Sequence, residues 1–223
     1  SDDALVIGRK GSTMLICLLA LVPLTSTFHG ATAGQPFGET RMDFAKDYIR
    51  YQDIIQAFNT SRKQWIYGTN FPIPQEYKDY KCVNLKKDSL SEKRLDFTAY
   101  YLKETMPGST PLYGELSKDN SGAEYDMSDL RKHPNSIKVS SVPGGTEGTV
   151  FRLVYSDGEK CSILRVPSEL SGYGCIVLLT VRAVRTGLPR LCNTTYQNAC
   201  GTQRDFYKVF DNDCQLTTNP SGC

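Results

Sequence analysis

Cysteine and histidine are the two residue types whose reactivity could define the chemistry of this chain. Eight cysteines stand at 17, 82, 161, 175, 192, 200, 214 and 223, with histidines at 29 and 133. No Cys-x-x-Cys and no His-Glu-x-x-His stretch occurs, so the spacing argues against a clustered metal site. A Ser–His–Asp arrangement would have to use His133, and no Gly-x-Ser-x-Gly elbow accompanies it. His133 precedes Pro134 in a polar stretch and reads as a solvated loop residue. Pro143-Gly-Gly145 is a turn, not a phosphate-binding loop. The chemistry left to the cysteines is cross-linking. The expectation is a chain that is not an enzyme, with no metal and no cofactor. The richest segment runs from Tyr155 to Cys192, where a hairpin carries Cys161 and Cys175 in its strands and Cys192 follows just beyond.

Cross-linking needs an oxidising compartment, and the start of the chain supplies a route to one. Met14–Leu24 is an apolar run too short to span a bilayer, which takes about 20 residues. Arg9 and Lys10 precede it, and Ala31-Thr-Ala33 fits a secretory cleavage pattern. Residues 14–34 therefore read as a signal peptide, and residues 1–13 as an upstream fragment or an extended n-region. The mature product is expected to be secreted, extracellular and without a membrane anchor. Cys17 leaves with the signal, and seven cysteines remain. Seven is odd, so one stays outside the intramolecular pairs, and pairing cannot be deduced from sequence. Asn59-Thr-Ser61 and Asn193-Thr-Thr195 are glycosylation acceptors, consistent with secretion. The 26 Lys/Arg against 24 Asp/Glu give a net charge of +2, evenly spread, which excludes nucleic acid as a partner.

The elements that must position these residues are mostly strands. Phe44, Tyr48, Tyr51, Ile55 and Phe58 recur at helical spacing and predict one N-terminal helix, with Asp43 and Asp47 placed at its positive end and Asn59 closing it. Strands follow at Lys63–Phe71, Tyr80–Lys86 and Asp96–Lys103. Met106–Pro111 reads as a turn cluster, and residues 112–142 as two or three weak polar strands. Val150–Tyr155, the Ser156–Glu159 turn and Cys161–Val166 make a hairpin. Gly174–Arg185 is the longest apolar strand, Pro189–Cys200 a short helix, and Phe206–Phe210 a last strand. Eight or so strands at spacings near ten residues give an all-β sandwich or barrel. A helix at the N-terminus, a meander, then a helix and a strand favour the closed barrel. One domain over 35–214 suits this length, followed by a flexible tail at 215–223.

Several pieces in fixed order carry a family resemblance. They are Tyr51-Gln-Asp53 leading to Trp65-Ile-Tyr67, and the lone strand cysteine Cys82. Tyr155-x-Asp157 then precedes Cys161 and Leu164-Arg-Val-Pro167. Gly172-Tyr173 comes before the apolar strand. Last are Pro189-x-x-Cys192, Phe206-Tyr207 and Asp213-Cys214. Over roughly residues 40 to 214 the chain resembles the tick salivary lipocalins, the histamine-binding-protein group. The Gly-x-Trp signature of conventional lipocalins is absent, since Lys63 stands at its glycine. The resemblance implies an eight-stranded antiparallel lipocalin-like barrel, disulfide-bridged and flanked by an N-terminal helix and a short C-terminal helix. It implies bridges Cys82–Cys214 and Cys161–Cys192. Cys175 and Cys200 are left as a third pair, with Cys223 odd on the tail.

A barrel of this size encloses one small ligand. Trp65, Tyr67, Phe97, Tyr100, Tyr101, Phe151 and Tyr155 are the aromatics available to line it. A cationic amine needs buried carboxylates and aromatic faces. The strands at 161–166 and 175–185 carry none, and Asp157 reads as a turn residue. Glu104 and Asp96 are the best remaining acids. Arg152, Arg165 and Arg182 lie in strands, where an inward arginine would suit a carboxylate ligand. The candidate ligand-binding residues are Trp65, Tyr67, Tyr100, Phe151, Arg152 and Glu104, with a lean towards an apolar or anionic ligand. The resemblance implies a monomer that sequesters a small host mediator. That mediator is a biogenic amine such as histamine or serotonin, or a leukotriene-like or fatty-acid-like lipid, and its removal suppresses host inflammation. The alternative is an immune modulator that acts on complement or a host receptor through its outer surface.

Overall fold

The computed structural model describes residues 42–44, 46–121, 130–201 and 205–214. The segments 1–13 and 14–34, the tail 215–223 and the residues Cys17, His29 and Cys223 lie outside them. The chain begins with two 3₁₀ turns, Met42–Phe44 and Lys46–Tyr51, and the helix α1, Ile54–Phe58. Eight strands follow: β1 Gln64–Thr69, β2 Tyr80–Leu90, β3 Arg94–Lys103, β4 Met106–Ser117, β5 Ser136–Ser140, β6 Thr149–Ser156, β7 Cys161–Val166 and β8 Gly174–Thr180. The helices α2, Val181–Val184, and α3, Arg190–Cys200, lead to a two-residue strand β9, Tyr207–Lys208. Each strand from β1 to β8 pairs antiparallel with the next, and β8 returns to β1, closing the barrel. β2 pairs with β1 only at Gln64 and Trp65, and β9 pairs with the other half of β1 at Gly68 and Thr69.

Local chemistry corrects four sequence expectations. The N-terminal helical stripe is broken at Gln52 and Asp53, because the Asp53 side chain accepts the Gln56 N–H at 3.1 Å and starts a new helix. The break shifts the phase, so Ile54 is fully buried in place of Ile55. Met106–Pro111 is strand and not turn; the reversal falls at Glu104, which adopts φ 57°. Pro107 and Pro111 are tolerated where β4 has β3 alone beside it, since pairing to β5 begins at Tyr113. The apolar strand at 174 ends at Thr180, and Val181–Val184 is helical. A bulge between Leu153 and Tyr155 turns Tyr155 away from the face of Phe151 and Leu153 that simple alternation gives it.

Two apolar cores share the wall of the barrel. Leu164, Val166, Ile176 and Leu178 point inward, while Ile163, Val177 and Leu179 point outward under α3 and the N-terminal turns. β7 and β8 are therefore buried on both faces. All three disulfides lie in the outer core: Cys82–Cys214, Cys161–Cys192 and Cys175–Cys200, with Cα separations of 5.0, 6.3 and 6.0 Å. The last two hold α3 to β7 and β8. Bridges of this kind contribute about 2–4 kcal/mol each.

Asp43 joins the outer core electrostatically. Arg152 and Arg165 are cross-strand neighbours on β6 and β7, both buried, and two adjacent cations repel. The Asp43 carboxylate meets Arg165 through two bonds of 3.0 and 3.2 Å and lies 3.5 Å from Arg152. Arg165 also donates to the Ala199 carbonyl at 2.9 Å, reaching the end of α3. Arg152 makes a second pair with Asp119, bonds Ser121 Oγ at 3.0 Å and sits over the Phe44 ring. Burial pushes the Asp119 carboxyl up, but hydrogen bonds from Ser121 and Arg152 outweigh it and hold the group below the ordinary carboxylate range.

Two outcomes follow from this network. Asp43→Asn leaves the buried Arg165 guanidinium without a carboxylate, while Arg152 keeps Asp119, and should cost about 3–5 kcal/mol in urea unfolding. The depressed Asp119 pKa stabilises the fold above the unfolded value of about 3.9, and that contribution is lost as pH falls through the lower folded value. Asp119→Asn should therefore flatten the acid limb of the stability profile below about pH 4; an unchanged limb would contradict the assignment.

Candidate functional site

The candidate site is the inside of the barrel. Period-2 alternation places one face of seven barrel strands there: Ile66 from β1, Leu85 from β2, Phe97 from β3, Ile137 and Val139 from β5, Phe151 from β6, Leu164 from β7, and Ile176 and Leu178 from β8. Phe58, at the end of α1, covers one end, held there as Gln64 Nε2 donates to the Ala57 carbonyl at 2.9 Å. Phe71 and Tyr77, from the β1–β2 connection, pack into the same core from the other end, and Leu170 from the β7–β8 connection packs against that core. Tyr77, Tyr80 and Tyr101 form a ring cluster there, with centroids 6.0 and 4.9 Å apart.

Between these groups remains a cavity of about 30 Å³, walled entirely by apolar side chains. An apolar cavity of this size stays dry. Among the described residues no charged side chain lines it, so it offers an ammonium or carboxylate nothing to replace lost hydration. What it can do chemically is bury apolar surface.

Of the six side chains singled out as candidate lining, Phe151 alone reaches this cavity. Trp65 and Tyr67 are on the outer face of β1. Trp65 meets Phe210 edge-on at 5.3 Å, and Tyr67 stands against Phe206 and Phe210. Tyr100 is half-buried, with Lys63 Nζ 5.2 Å from its ring. Arg152 is on the outer face, bound to Asp43 and Asp119. Glu104 is exposed at the β3–β4 reversal, where its N–H donates to the Asp79 carbonyl at 2.9 Å. Asp96 pairs with Arg94 at 2.6 Å, and Arg182 is exposed on α2. Asp157 accepts the N–H groups of Glu159, Lys160 and Cys161, as its turn position requires.

The lining that residue reasoning passed over is aliphatic: Ile66, Leu85, Ile137, Val139, Leu164, Ile176 and Leu178. In β7 and β8 the two-sided burial erases the alternation that would mark a lumen face. The acceptor Asn59 is exposed at the end of α1, and Asn193 is exposed on α3.

The profile of the tick histamine binding protein family matches residues 42–216. Among solved structures, the AM182 serotonin complex superposes with a TM-score of 0.51 at 15% identity, over 72% of this chain and 90% of that one. Japanin from Rhipicephalus appendiculatus, bound to cholesterol, gives 0.47 at 13% identity, over 71% of this chain and 98% of that one. No curated protein matches the sequence.

Phe151→Ala should remove one of the three phenyl rings of the cavity wall and cost about 3–5 kcal/mol. The enlarged space should admit benzene, seen as a benzene-dependent rise in Tm that the parent chain lacks.

Proposed function

We propose that this chain, which belongs to the tick histamine-binding protein family, is a secreted carrier that takes a small, largely apolar host mediator into its barrel and so withdraws it from inflammatory signalling. The observation that carries this reading is the lining: ten residues from α1 and seven strands, all apolar, facing one common space. Burial of apolar area contributes about 25 cal/mol per Å², so a lipid-like ligand gains most here. An amine would lose hydration without meeting a carboxylate, which sets it behind a lipid. The cavity holds little more than a water-sized group, so uptake requires Phe58 at one end, or Phe71 and Tyr77 at the other, to move aside. Secretion through residues 14–34, glycans at Asn59 and Asn193, and a monomeric state belong to the same reading.

That small volume also favours a second reading, in which the filled barrel is a scaffold and the outer surface binds a host protein of the complement or receptor class. The neutral fluorophore N-phenyl-1-naphthylamine separates the two. Carrier function predicts enhanced, blue-shifted emission at one equivalent. Val139→Phe, which fills the lumen, should weaken that binding by about tenfold or more. A complete lack of enhancement, together with capture of a serum protein by the parent chain and Val139→Phe alike, would move the function to the surface. Native mass spectrometry of chain secreted from eukaryotic cells should show retained ligand, three bridges and two glycans.

A further inference from the structure

Outside the barrel lies a cleft of about 380 Å³, between the Lys46–Tyr51 turn with Gln52 and Asp53 on one side and residues 130–133 on the other. That volume is within the range of small-molecule sites. Among the described residues, Lys46, Arg50, Arg131, Lys132 and His133 line it against one carboxylate, Asp53, and Ile49 and Leu130 give it an apolar surface. Asp53 is already engaged, capping α1 and lying 3.9 Å from His133 Nε2.

Arg131 is the unusual member. It is 1% exposed, and a buried charge ordinarily requires an opposite one. Its bonds go to neutral oxygens instead: Nε to Asn120 Oδ1 at 3.0 Å, and Nη2 to Gln52 Oε1 at 3.0 Å and the Asp43 carbonyl at 3.4 Å. Nη1 is buried with no hydrogen-bond partner among the described residues. The nearby carboxylates, Asp43 and Asp119, are held by Arg165 and Arg152. Burial, and then the neighbouring Arg152 charge, push the Arg131 pKa down, yet a guanidinium stays protonated. A buried unsatisfied donor calls for an explanation, and a concave wall of one sign concentrates counter-ions.

We propose that this cleft is a second binding site, separate from the lumen, for a small organic carboxylate. Its carboxylate pairs with the exposed Arg50 and Lys132, in the field of the Arg131 charge buried behind them, and its apolar body covers Ile49 and Leu130. A neutral analogue forgoes those charge pairs and gains only the apolar contact.

The test is an NMR titration of the full isotope-labelled chain with 4-phenylbutyrate, and with 4-phenylbutanamide as the neutral probe. Saturable shifts at Ile49, Arg50, Lys132, His133 and the Arg131 Nε–H are expected with the acid and not with the amide. The double variant Arg50→Ala/Lys132→Ala alters two exposed side chains, and its fold is checked by its Tm. It should bind the acid about tenfold more weakly, and raising salt from about 50 to about 500 mM should weaken the parent similarly. Equal binding of acid and amide, an unaffected double variant, or no saturable shift would overturn the proposal. So would shifts confined to Phe97, Phe151 and Leu178, although these would sustain the lumen as a ligand site. Loss of N-phenyl-1-naphthylamine binding leaves this second site untouched, so the two readings fail separately.

Discussion

The carboxylate of Asp43, shared by two arginines, with Asp119 as a second partner for one of them, makes the outer half of this molecule electrostatically tenable. β6 and β7 place Arg152 and Arg165 side by side on a face that the N-terminal turns and α3 then cover. Two guanidinium groups removed from water on adjacent strands would repel and would each lack their hydration. Asp43 lies between them, and because it belongs to the segment that does the covering, charge neutralisation and burial happen together. The same Arg165 reaches the carbonyl of Ala199, so the beginning and the end of the fold meet at one ion pair. The Cys161–Cys192 and Cys175–Cys200 bridges fasten α3 over this region, and Cys82–Cys214 anchors the segment beyond it.

Because polar and covalent anchoring sit outside the barrel, the inside is left to packing. The inward positions need supply only apolar volume, and they do so down to a residual cavity of about 30 Å³. Close packing of that order makes the lumen sensitive to single methylene changes. It also places any ligand in competition with the side chains that close the two ends. The preference for apolar ligands and the need for end-group movement both derive from this division of labour between the two faces of the wall.

Much of the fold is legible in the residues. β7 has the bounds that its hairpin pattern gives it, and Pro189 stands at the start of α3. The errors have local causes. Asp53 breaks a helical stripe by capping, the β6 bulge reverses Tyr155, and two prolines are accommodated on a strand with one free side. The candidate site was less legible. Trp65, Tyr67 and Arg152 have the chemistry of ligand groups but lie on the outer face, and the aliphatic lining carries no distinguishing side chain.

The sequence by itself pointed to eight or so strands, the bridged class and the family, because alternation, turn dipeptides and cysteine order are local or ordinal properties of the chain. Which face of each strand looks into the barrel was decided only by tertiary structure. β7 and β8 are buried on both sides, so their period is silent until α3 and the N-terminal turns choose a side. The fate of the arginines was decided there too: whether a strand guanidinium meets a ligand or an aspartate more than a hundred residues away depends on how the chain returns on itself, which no local pattern encodes.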